Sequence, residues 1–177
     1  MVEADATSLR KWREDGNLVY FQLFGLYRRP SAPGDRGNIL LYDMGCNKAL
    51  KSGKPPPESR SRLDCTRAFD QLSSTCVLIT GGAPVYPGIC EDYGIKHFAC
   101  NHSRGIFNLK KRYRNKTIDC HTGGVDGCWK MCKGSIPVSL SSKKTRQLMK
   151  HARIWQWRWH QRQTNLALAL GKALANF

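Results

Sequence analysis

Residues 1–43 run MVEADATSLRKWREDGNLVYFQLFGLYRRPSAPGDRGNILLYD, and three extended segments are readable in them. The first, MVEADAT (1–7), is a short apolar strand interrupted by Asp5, a charge for which a structural role is hard to supply. Glu3 lies two residues earlier and shares the face of Asp5. The second segment, Leu18–Tyr27, is apolar and aromatic, and the third is NILLYD (Asn38–Asp43). The Pro/Gly-rich turn RRPSAPGDRG separates the last two. Strands at such short intervals predict an antiparallel meander.

Working outward, KSGKPPP (51–57) reads as a linker leading to a helix over Glu58–Leu72, with Leu63, Ala68, Phe69 and Leu72 as a sparse apolar face. CVLIT (Cys76–Thr80) is a fully apolar strand ended by Gly81-Gly82, and after a short helical turn Ile95–Cys100 forms another. Asn101–Thr122 reads as a long, basic, irregular segment. Helices close the chain, one near Val125–Lys133 and a long one from about Ser142. On the latter Leu148, Ala152, Trp155, Trp159, Leu166 and Leu170 recur at near-helical spacing. Trp155 and Trp159 share a core face, whereas Trp157 points elsewhere. This order predicts an α/β protein of the ribonuclease-H-like fold, a central mixed five-stranded sheet flanked by helices.

The 177 residues suit one domain with a real core. No apolar run approaches the roughly 20 residues needed to span a bilayer, and Met1–Arg10 lacks a secretory pattern. An intracellular protein with no membrane partner is expected. Lysine and arginine total 29 against 13 acids, a net charge of +16. The excess is concentrated: Asn101–Gln163 holds fifteen basic residues and two acids, Asp119 and Asp126. Such a surface predicts a polyanionic partner, nucleic acid foremost, because each neutralised phosphate releases counterions. The candidate phosphate contacts are Lys110, Lys111, Arg112 and Arg114, with Lys130, Lys133, Arg158 and Arg162 on the helices. The run KKRYR also fits a nuclear-import signal, so a eukaryotic source would place the protein in the nucleus. The eight cysteines lack a CxxC knuckle and are expected to be reduced, mostly buried thiols rather than a zinc site.

Asp126, near the start of its helix and surrounded by basic sequence, has a mundane explanation in the helix dipole. A second explanation comes from its neighbours. NHSRG (Asn101–Gly105), followed by HTGGVDGCWKMCK (His121–Lys133), resembles the signature of ISXO-type insertion-sequence transposases and their Merlin relatives, approximately HSKGE and then HTNTIEGFWSLLK. His121, Thr122, Trp129 and Lys133 match without a gap, and Asp126 falls on the family's glutamate. Val2-Glu3-Ala4-Asp5 is similar to the first-strand motif, Thr80-Gly81 through Tyr86 to a TD-x4-Y element, and WQWRWHQR from Trp155 to the close of the domain. The resemblance implies a DDE transposase core that cuts DNA with Mg2+ or Mn2+, two ions about 4 Å apart held by carboxylates. By it Asp5 and Asp126 are metal ligands, with Glu3 as an auxiliary and His121 a further site residue.

The second acid is missing, because Gly81 stands in its place. Gly123 replaces an asparagine of the family and Asp126 is a methylene shorter than glutamate. Weak or lost strand transfer is therefore expected. Asp5 lies so near Met1 that no upstream DNA-recognition domain is expected, leaving a core that discriminates little between sequences. Three classes follow: a DNA-cutting enzyme, a silent nucleic-acid binder, and a structural subunit of a larger assembly, ribonucleoproteins included.

Overall fold

The computed structural model describes residues 1–162, so Leu166 and Leu170 lie outside the described residues. Its centre is a five-stranded mixed sheet in the order β3-β2-β1-β4-β5. β1 (Val2–Glu14), β2 (Asn17–Arg28) and β3 (Asn38–Lys48) form the expected antiparallel meander, while β4 (Val77–Thr80) and β5 (Lys96–Ala99) run parallel to β1. β1 is central because it pairs on both edges, β2 on one side and β4 on the other.

β1 is longer than the strand read over residues 1–7. The chain turns at Asp15 and Gly16, both with positive φ, and Glu14 pairs directly with Asn17. That two-residue hairpin matches the twist of the flanking strands, and Asp-Gly is a strong signal for it. A register shift between Ser8 and Arg10 interrupts the ladder.

The helix read over Glu58–Leu72 is much shorter. α1 covers Arg60–Thr66 and stops where Arg67 adopts the left-handed conformation; a 3-10 turn, Phe69–Gln71, follows. The cause is local. The Thr66 hydroxyl donates to the Leu63 carbonyl and accepts from the Ala68 N–H, an alternative to helical bonding. Breaking there lets Ala68 and Phe69 enter the core with Leu63. The segment 51–57 is not slack, since its carbonyls at Gly53 and Pro56 accept from Tyr20 and Gln22 of β2.

The segment read as irregular is largely ordered. β6 (Leu109–Tyr113) and β7 (Lys116–Cys120) form a separate hairpin around Arg114-Asn115, both at positive φ. Ile118 and Cys120 of this hairpin pack on Val77, Ile79 and Cys100, with Leu109 and Tyr113 at the margin.

α2 (Tyr86–Asp92) and α1 cover one sheet face, where Val2, Ala4, Phe24, Leu26 and Leu78 meet Leu63, Phe69, Tyr86 and Ile89. α3 (Gly123–Ser135) and α4 (Thr145–Gln161) cover the other, placing Val125, Cys128, Trp129, Leu148 and Ala152 against Leu23, Tyr27, Ile39 and Leu41. Trp155 and Trp159 pack against this second core, as their spacing predicts. α3 approaches the sheet closely because two positions lack side chains. A Cβ on Gly25 would fall 2.6 Å from the Trp129 ring, and one on Gly124 would fall 2.3 Å from the Tyr27 ring.

Candidate nucleic-acid site around Asp5

Alternation on β1 sends Val2 and Ala4 to the α1–α2 side, and Glu3 and Asp5 to the α3 side. The two acids then part ways. Glu3 is completely buried and both of its oxygens are taken. Oε1 accepts from Arg29 at 2.6 Å, and Oε2 accepts from the backbone N–H of Val125 at 2.8 Å, in the first turn of α3. Arg29 in turn donates to the carbonyls of Asp119 and His121. Glu3 therefore anchors α3 and the β7–α3 connection to the central strand, and the role of auxiliary metal ligand is not one its engaged oxygens favour. His121 belongs to the same joint: its Nδ1 accepts from the Gly123 N–H at 3.2 Å and lies 3.8 Å from Glu3.

Asp5 points into a different environment. Oδ2 accepts from the indole N–H of Trp129 at 3.1 Å, an approach possible because Gly25, its cross-strand neighbour, leaves room for the ring. Burial, reinforced by the negative charges of Glu58 and Asp126, pushes the Asp5 carboxyl up to about 7; the Trp129 hydrogen bond opposes the shift. Asp5 also lines an open cleft of about 440 Å3 with Ser8, Gln22, Pro56, Glu58 and Lys133. Lys133 is partly buried there and its ammonium is shifted down by that burial, against the attraction of Asp5.

Glu58, which sequence reading passed over as the start of a helix, exerts the largest charge effect on Asp5 and accepts from the Tyr86 hydroxyl at 3.1 Å. Its only sequence signal was an acid directly after a proline run.

Asp126 is exposed on the first turn of α3, where its Oδ2 accepts from the Thr122 hydroxyl at 3.0 Å. The Thr122 oxygen is 3.3 Å from His102 Nε2. His102 reaches Gly81: its N–H donates to the Gly81 carbonyl, and a Cβ on Gly81 would sit 3.5 Å from His102 Nδ1. Asp126 is thus joined to Gly81 through Thr122 and His102, and its negative charge is one of the lesser influences that raise the Asp5 carboxyl.

The donor set does not form a ready ion cage. Among the described residues no three His, Cys, Asp or Glu side chains converge as metal ligands. Asp5 is half-buried and hydrogen-bonded to an indole, and a metal ion binding there would have to displace the proton that its raised carboxyl holds. The eight cysteines are free thiols, five of them buried; Cys46 and Cys65 are exposed.

The basic residues fall into groups. Lys110, Lys111, Arg112 and Arg114 are exposed on the β6–β7 hairpin, and Lys130 and Arg158 are exposed on α3 and α4. Arg162 is engaged within the fold, stacked on the Trp159 ring with its guanidinium donating to the carbonyls of Arg36 and Gly37. Comparison of the chain with protein-family models, curated proteins and solved structures gave no match. No helix among the described residues is long and apolar enough to cross a membrane.

The raised Asp5 group has a thermodynamic consequence. An acid whose pKa is higher folded than unfolded keeps its proton in the native state while the unfolded chain releases it, so stability falls as pH rises from about 4 to about 7. By about pH 8 the full cost is present, on the order of 4 kcal/mol. Asp5→Asn retains an acceptor for Trp129 and removes that cost. Urea titrations are expected to show the variant more stable than wild type at pH 8, with the gap closing toward pH 4. Parallel curves across that range would show that Asp5 titrates normally.

Proposed function

We propose that this chain is a nucleic-acid-binding core of the ISXO/Merlin DDE transposase type, with the ribonuclease-H-like fold and with strand cleavage weakened or lost at Gly81. The observation that carries the reading is the joining of two motif positions, Gly81 at the end of β4 and Asp126 on α3, through Thr122 and His102, with the charge of Asp126 also felt at Asp5 on the central strand. The sheet order β3-β2-β1-β4-β5 with β1–β3 antiparallel and β4–β5 parallel also supports it. Asp5 and Asp126 are the residues that would hold magnesium or manganese, which would supply charge neutralisation at the phosphate. The chain's own residues provide Asp5, Asp126 and, from the cleft wall, Glu58. With glycine at position 81, they leave one side of that arrangement without a ligand.

DNA binding would rest on phosphate contacts from the hairpin and from Lys130 and Arg158, all exposed. Lys133, beside Asp5, sits where it can meet a phosphate brought to the cleft. A second reading follows from the bare Gly81: the domain serves as a non-catalytic nucleic-acid-binding or structural subunit of a larger assembly inside the cell.

Every nucleic-acid-binding form of these readings requires polyelectrolyte binding, whereas a purely structural subunit does not. A plot of log affinity against log salt for a short duplex is expected to slope steeply downward. Replacing Lys110, Lys111 and Arg112 with alanine should flatten it by about 3, close to 0.9 per lost phosphate contact. The residues are exposed, so the melting temperature should hold. Affinity insensitive to salt would sink the nucleic-acid-binding readings and leave only the structural subunit.

A further inference from the structure

Phe107 is 64% exposed, with Ile106 beside it at 39%. Single exposed apolar residues are ordinary on protein surfaces, but the setting of this one is not. One face of the Phe107 ring lies against His102, with centroids 5.1 Å apart and planes tilted by 32°. His102 in turn abuts Gly81 and the Thr122–Asp126 pair. The ring is thus the outermost member of a stack leading from the candidate site to solvent.

Its backbone is held in place. The Asn101 side chain accepts from the Arg104 N–H, Gly105 turns in the left-handed region, and the Ile106 N–H donates to the Asn101 carbonyl. The segment that carries the ring is strongly basic, while Asp126 stands behind His102 on the inner side. Arg104, Lys110, Lys111, Arg112, Arg114 and Lys116 are exposed, and Asp119 is the one acid between Asn101 and Cys120. An aromatic platform in a basic field matches a polyanion that carries flat π faces. A base locked in a duplex cannot offer a free face laterally, whereas an unpaired base can.

Resting on the nucleic-acid reading above, we infer that Phe107 is a stacking platform for an unpaired base, so that this edge of the site takes single-stranded nucleic acid or a frayed strand end. The hairpin lysines and arginines hold the phosphates on either side, and the base lies on the ring face away from His102.

The test compares three fluorescent ligands of equal length: oligo-dT, an oligomer of abasic sites, and a blunt duplex. Phe107→Ala is expected to weaken oligo-dT binding roughly 5- to 150-fold. It should leave the abasic oligomer and the duplex unchanged, and Phe107→Trp should restore oligo-dT binding. The ring is exposed, so the variant is not expected to misfold; an unchanged melting temperature confirms this. Equal affinity of wild type and Phe107→Ala for oligo-dT would overturn the stacking platform while leaving the nucleic-acid reading intact. Equal losses for all three ligands would also overturn it, because they would mark a change in the hairpin rather than stacking. Failure of the wild-type protein to bind any of the three would overturn the nucleic-acid reading itself.

Discussion

Replacing Gly81 with aspartate is expected to confer metal-dependent nicking that the wild-type chain performs weakly or not at all. Steric room exists for the change. The Gly81 backbone is not in the left-handed region, and a Cβ there would meet the His102 ring at 3.5 Å, an ordinary van der Waals distance. A carboxylate at this position would face His102, which already bonds to Thr122 and through it to Asp126. On the proposed alignment it would add a third carboxylate to Asp5 and Asp126. Removing one charge-stabilising group from an active site typically costs about 10²- to 10³-fold, so restoration should gain on the order of 10²-fold over wild type. The readout is nicking of supercoiled plasmid in manganese and then in magnesium. The gain should disappear when Asp5→Asn or Asp126→Asn is added. A folded Gly81→Asp protein that cuts no faster than wild type would refute the alignment of Gly81 with a ligand position.

The second large effect concerns stability. Glu3→Ala is expected to destabilise the fold by about 3–5 kcal/mol, the usual cost of removing one member of a buried ion pair. The Arg29 side chain is only 10% exposed, and without Glu3 its charge would have only backbone carbonyls for company. The Val125 N–H in the first turn of α3 would lose its acceptor as well. Against a typical net stability of about 5–15 kcal/mol, such a loss is a large share, and denaturant midpoints should fall accordingly. Paired replacement, Glu3→Gln with Arg29→Met, should recover part of it, since the buried charge is then gone. A Glu3→Ala midpoint within error of wild type would show that α3 does not depend on this joint.

Much of the fold was readable because its signals are local. The apolar runs at Leu18–Tyr27, Asn38–Asp43 and Cys76–Thr80 each became a strand, and Gly123–Ser135 the expected helix. Two hairpins were missed despite local signals. Asp15-Gly16 was a direct turn signature, and Arg114-Asn115 lay in a stretch where charge obscured the alternation of Leu109, Ile118 and Cys120 toward the interior. The length of α1 was not readable, because the Thr66 side-chain bonds that end it compete with helical bonding only in the folded context.

By itself the sequence determined the strands of the central sheet, the C-terminal helices and the basic character of the segment after Asn101, all properties of residue type and short-range period. Tertiary structure decided the roles of the acids. Glu3 and Asp5 share one face of one strand, yet one is an ion-paired anchor and the other a carboxyl pushed upward by burial beside Trp129. The difference arises from what α3, Arg29 and Glu58 bring against each carboxylate from distant parts of the chain. Ionisation depends on burial and on neighbouring charge in space, and neither is a function of local sequence.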